Sequence, residues 1–162
     1  MRQLYIACAL ALIACASLQA HADSDVVQAS AERLTACVAS AGADRAALEQ
    51  CKGVAAQACI EAEGGVTMAH VLCWDSEASG WREMMAVAAT RLAVSASYRD
   101  AARLDAANAA WASWAEAECE YWAWEVGGGV GEQVDRVRCA AHISADRAIT
   151  LIIADSNEGR AP

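Results

Sequence analysis

CVASAGADRAALEQC, residues 37–51, and CIEAEGGVTMAHVLC, residues 59–73, decide how this chain is read. The second stretch repeats the first 22 residues later. Cys37, Val38, Gly42, Ala47 and Cys51 return as Cys59, Ile60, Gly64, Ala69 and Cys73 in one pattern, C-[VI]-x3-G-x4-A-x3-C. Each unit reads as a helix end, a glycine turn and a helix start. A glycine just past a helix takes the left-handed conformation that lets the chain double back. Cross-linking the two cysteines of a unit closes a loop near 15 residues, worth about 3 kcal/mol in the chain-entropy model.

Outward from these units the chain stays helical. Alanine is abundant throughout, the one proline is Pro162, there is no phenylalanine, and no stretch alternates with the period of two that a half-buried strand needs. Trp74, Trp81, Met84, Met85, Ala88 and Leu92 form one apolar stripe on a helix from about Ser76 to Ser97. Leu104, Ala107, Trp111, Trp114, Glu118, Tyr121 and Trp122 form another from about Arg99 to Glu125, with Glu116 and Glu120 on the opposite, solvated face. The cluster Gly127, Gly128, Gly129 and Gly131 breaks the chain. A last helix is expected from about Ala145 to Asp155, with Ser144 as N-cap, Asp146 in its first turn, and a stripe of Ala148, Leu151, Ile152 and Asp155. Residues 156–162 read as a polar, frayed tail. The expected fold is all-α: a disulfide-stapled helical bundle of two short helix-turn units, two long helices and a C-terminal helix.

The N-terminus reads as an export signal. Arg2 precedes the apolar run from Leu4 to Leu18, and Ala20 and Ala22 occupy the positions that a signal peptidase reads. Cleavage after Ala22 leaves a domain at 23–155, without a transmembrane span, in the periplasm or secreted. The rival is a lipoprotein anchored at Cys15, because Leu12-Ile13-Ala14-Cys15 fits the pattern of a lipid-modified cysteine. Removing residues 1–22 takes away Arg2 and no acid, so the net charge moves from −9 to −10. Such a charge argues against nucleic acid and anionic membranes as partners.

The domain keeps six cysteines, for which 15 connectivities exist. The symmetry of the units selects Cys37–Cys51, Cys59–Cys73 and Cys119–Cys139, the last closing around the glycine cluster. A zinc site from His70, Cys73, Cys139 and His142 is the competing arrangement, and it would leave Cys59 and Cys119 without partners in an oxidising space. Trp111, Trp114 and Trp122 read as core. No paired carboxylates and no serine or cysteine nucleophile with a histidine stand out, so the chain reads as a binding protein, not an enzyme, with no cofactor.

Residues 59–151 resemble the lysozyme-inhibitor LprI-like N-terminal domain, a family of small secreted bacterial helical proteins. The resemblance rests on Cys59 and Cys73, on Glu77, Trp81 and Leu92, and on Leu104, Ala107, Ala110, Trp111 and Trp114 leading to Glu118-Cys119. The glycine cluster, Cys139, Ser144, Arg147, Ala148 and Leu151 complete the order. Ala115 departs from the arginine common there, Trp114 from the usual tyrosine, and Met84-Met85 from an asparagine-rich signature; Cys37 and Cys51 are additional. The resemblance implies inhibition of a lysozyme, and an acidic inhibitor would be steered onto a basic enzyme. Gly127, Gly128, Gly129 and Gly131, with Glu125, Glu132 and Asp135 around them, are then the expected partner-binding loop. The alternative is a structural or peptidoglycan-binding envelope module without inhibitory activity.

Overall fold

The computed structural model describes residues 28–95, 98–124 and 127–158. Every regular element among them is helical: α1 over 28–41, α2 Arg45–Glu49, α3 Val54–Ala62, α4 Thr67–Ser95, α5 Tyr98–Trp124 and α6 Gly129–Glu158. The export signal, Cys15 and Glu125 lie outside the described residues.

The two cysteine units form helix-turn-helix pairs. Gly42, at φ +58°, follows α1, and its N–H donates to the Val38 carbonyl at 3.1 Å. Asp44 then opens α2, its carboxylate accepting from the Ala47 N–H at 2.8 Å. After α3, Gly64 N–H reaches the Glu61 carbonyl at 3.2 Å and Gly65 N–H the Ile60 carbonyl at 2.9 Å, the paired closures of a Schellman motif. Gly64 sits at φ +70°, where a side chain would be strained. Disulfides join Cys37 to Cys51 and Cys59 to Cys73, each 14 residues apart, and Cys119 to Cys139, 20 apart.

The long helices run up, down and up. Among α2 to α6 the packing of α4 against α6 is the most extensive. The two are parallel: Trp74 meets His142 with ring centroids 5.4 Å apart, and further along Arg91 meets Asp155 at 3.6 Å. Helix α5 returns antiparallel to α6, with Cys119 opposite Cys139 and Asn108 opposite Arg147.

Two layers of core fill the space between the cysteine units and the α4–α6 pair. Leu34, Leu48, Cys51, Ala55 and Trp81 pack with Ala145, Ala148 and Ile149, flanked by Met84 and Met85. Ala56, Cys59, Ile60, Ala69, Cys73, Trp74 and Ala78 pack with Ala141. Trp81 is fully buried. Beside it a Cβ on Gly80 would stand 2.9 Å from a Leu34 methyl, so any side chain there would have to displace the end of Leu34 where α1 and α4 pack.

Several expected boundaries move. Helix α4 starts at Thr67, nine residues before Ser76, and its stripe is otherwise as expected: Trp74, Trp81 and Ala88 are buried, Met84, Met85 and Leu92 half-buried. The last helix begins at Gly129, not Ala145. Ser144 is therefore no N-cap but a buried residue inside α6, and Asp146, two residues on, is far from any helix start. Gly131 costs the first turn up to about 1 kcal/mol, whereas Gly129 opens the helix at φ +81°, a conformation that favours glycine. At the other end α6 continues to Glu158, so the expected tail from Ser156 starts as helix.

Candidate functional site

Among the described residues Glu77 is the one carboxylate in the core, 2% exposed. It comes from α4 and caps a different helix. One oxygen accepts from the Gly53 N–H at 2.6 Å and from Trp81 Nε1 at 3.2 Å; the other accepts from the Ala56 N–H at 2.7 Å. Gly53 is the N-cap of α3 and has no side chain to do this. The acid thus satisfies donors that would otherwise be buried orphans, and it sits at the positive end of the α3 dipole. Its role is architectural: every oxygen is engaged with the fold.

A second polar tie crosses the molecule at Lys52, the only lysine in the chain. Its ammonium contacts Glu49 of α2 and Asp146 of α6. Burial works against its charge, but the hydrogen bonds to Asp146 and Glu49 outweigh burial and hold its pKa above the ordinary lysine value.

The outer face of α5 differs from the expectation. Trp114 and Trp122 are not core: Trp114 is 51% exposed, Tyr121 56%, Trp122 51% and Trp124 75%. Trp111 is half-buried. The buried residues of α5 are Cys119 and Ala123, and the stripe turned toward the rest of the fold runs through Asn108, Trp111, Ala115 and Cys119. At 3.6 residues per turn Cys119 lies about 140° around the helix from Trp114. The staple to Cys139 therefore turns Trp114 outward. The position of Cys119 relative to the tryptophans was the sequence signal for this orientation.

The aromatic face is ordered by contacts of its own. Trp122 Nε1 donates to Glu118 at 2.8 Å, and the Tyr121 and Trp122 rings meet edge-on at 5.4 Å. Beside it the connection to α6 is only residues 125–128. Gly127 and Gly128 are exposed at φ +85° and +93°, whereas Gly129, at φ +81°, and Gly131 already belong to α6. The glycine cluster expected to project as a loop is thus partly helical. The acids expected to face a partner from it are engaged: Glu132 accepts from Arg136 at 2.7 Å, and Asp135 pairs with Arg138. Glu120, read as plain solvated charge, also holds Arg136, at 3.2 Å.

Behind the aromatic face, α4, α5 and α6 enclose a cleft of about 490 Å³ that includes Arg82, Trp111, Glu116 and Arg136 in its lining. His70, Cys73, Cys139 and His142 do not converge: both cysteines are in separate disulfides, and no metal-competent group of side chains occurs among the described residues. No helix of the described residues is long and apolar enough to cross a membrane. In comparisons with known proteins, no family model, no curated protein and no solved structure matches the chain.

Proposed function

We propose that this chain is an exported binding protein of the cell envelope that inhibits a basic lysozyme, as its resemblance to the LprI-like domains implies. The observation that carries the reading is the exposed aromatic face of α5: Trp114, Tyr121, Trp122 and Trp124 stand in solvent on a helix stapled to α6 by Cys119–Cys139. Large aromatic side chains on a rigid support are the residues that dominate binding energy at protein interfaces. A lysozyme cleft accommodates the flat faces of sugar rings, and aromatic rings fit the same space. Charge supports the same partner. Residues 111–138 carry six acids against two arginines in a chain of net charge −9, which would accelerate encounter with a cationic enzyme. Three disulfides and the absence of a membrane-crossing helix among the described residues are consistent with work outside the cytoplasm.

Because Glu132 and Asp135 already hold arginines, the rings are assigned the affinity and the overall charge the on-rate. The test is turnover of a cell-wall substrate by a strongly basic lysozyme in the presence of the oxidised protein. Inhibition is expected at low salt and should weaken as salt screens exposed charges, over about 8 Å at physiological ionic strength. Trp114→Ala with Trp122→Ala should weaken it at least tenfold while the protein still melts as the parent does. Full enzyme activity at high micromolar protein and low salt would end the inhibitor reading; sedimentation of the same protein with insoluble peptidoglycan would then favour the envelope module.

A further inference from the structure

The cleft between α4, α5 and α6 has a composition that structural packing alone does not require. Its volume, about 490 Å³, lies within the range of small-molecule sites, roughly 300–1,000 Å³. Met85 and the half-buried Trp111 give it an apolar wall, and Arg82, Glu116, Glu120 and Arg136 supply polar groups around it. Two of these charges are committed: Arg136 donates through one terminal nitrogen to Glu120 and Glu132. Its Nε is buried and has no hydrogen-bond partner among the described residues. Arg82 and Glu116 make no ion pair or side-chain hydrogen bond among the described residues. The cleft thus offers an aromatic surface with an exposed guanidinium and an exposed carboxylate at its rim.

We infer that this cleft binds a sugar acid, a pyranose ring bearing a carboxylate. The C–H face of such a ring lies against Trp111 and Met85. Glu116 accepts from its hydroxyls. The planar fork of Arg82 takes the carboxylate, the anion for which guanidinium geometry is best matched. A purely apolar ligand would make no use of Arg82 and Glu116 at the rim, and a simple cation would meet Arg82. The site is separate from the outward rings Trp114, Tyr121 and Trp122 and does not depend on lysozyme inhibition.

The experiment is an amide-resolved NMR titration of the oxidised protein with glucuronic acid and N-acetylmuramic acid, beside the neutral sugars glucose and N-acetylglucosamine. The acids are expected to shift amides of α4, α5 and α6 around the cleft and to bind at least tenfold more tightly than the neutral sugars, a difference of about 1.4 kcal/mol. Arg82→Met, at an exposed position that leaves the core untouched, should erase the preference for the acids. Trp111→Phe should weaken all four sugars while the thermal melt remains cooperative. No shift at tens of millimolar of any sugar would overturn the proposal. Equal affinity for acid and neutral forms, or a preference that survives Arg82→Met, would overturn its acidic class. Arg82→Met should leave lysozyme inhibition intact, so this site and the proposed function fail separately.

Discussion

Two long helices lean on α6 from different positions, and they do so in different ways. Helix α4 sinks its largest side chains: Trp74 and Trp81 are buried, with Glu77 between them tying α3 to the core. Helix α5 keeps its largest side chains outside and approaches α6 through Ala115, Cys119 and Ala123, with Arg147 donating to Asn108 at 2.6 Å. The two staples of the cysteine units lie within hydrophobic core, where Cys51, Cys59 and Cys73 are themselves buried apolar surface. The third attaches α5, a helix that buries little else. A disulfide inside a core adds to stability already supplied by packing, whereas one that holds a thinly packed helix decides whether that helix stays docked. That arrangement leaves the aromatic surface in solvent and makes the docking of α5 depend on one covalent bond.

The sharpest way to break the comparison is to truncate one tryptophan on each helix. Trp81→Ala should destabilise by about 3–5 kcal/mol, the usual loss for a large buried aromatic. Trp114→Ala should stay within about 0.5 kcal/mol, as exposed sites do. Denaturant titrations measure both, and similar losses would mean that α5 is as much a part of the core as α4.

Replacing Cys119 and Cys139 together by serine should remove about 3 kcal/mol of chain-entropy stabilisation. More telling is where the loss falls. Hydrogen exchange should accelerate along α5 while the amides of α3 and the first half of α4 keep their protection. Uniform acceleration across the molecule would contradict a separately tethered α5.

Glu77→Ala should cost about 2–3 kcal/mol, since buried N–H groups at Gly53 and Ala56 lose their acceptor. The effect should concentrate in α3, and Glu77→Gln should recover part of it because the amide oxygen still accepts. An unchanged melting temperature for the alanine variant would show that water replaces the cap.

The smallest effect concerns Lys52. Its folded pKa is raised, so the stabilisation from its contacts is fully present below the unfolded lysine value, about 10.4, and is lost as pH rises through the folded value. With no other lysine in the chain, the parent should lose a small increment of stability above that pH relative to Lys52→Met. Parallel pH profiles for the two proteins would remove Lys52 from the account.

Much of this fold was legible in sequence because it is local. Alanine-rich periodicity specified helices. The repeated C-x13-C units placed the glycine turns at Gly42 and Gly64 and the two short staples. The Trp74, Trp81 and Ala88 stripe indicated the buried side of α4. Less of the candidate site was legible. The α5 sequence carries two stripes, one large and aromatic, one small, and hydrophobicity alone favours burying the larger. The reach of Glu77 to α3, 21 residues away, leaves no local trace either.

By itself, then, the sequence determined the helical class, the turns and the cysteine pairing, because each depends on residues within about one loop length of one another. Only the tertiary structure decided which side of α5 faces inward, where α6 begins and which donors Glu77 satisfies. The staple between Cys119 and Cys139 fixes the rotation of α5 about its axis, and close approach to α6 admits alanine and cysteine but not a row of indoles. Those outcomes depend on the space that neighbouring helices leave, and that space exists only once the whole chain has packed.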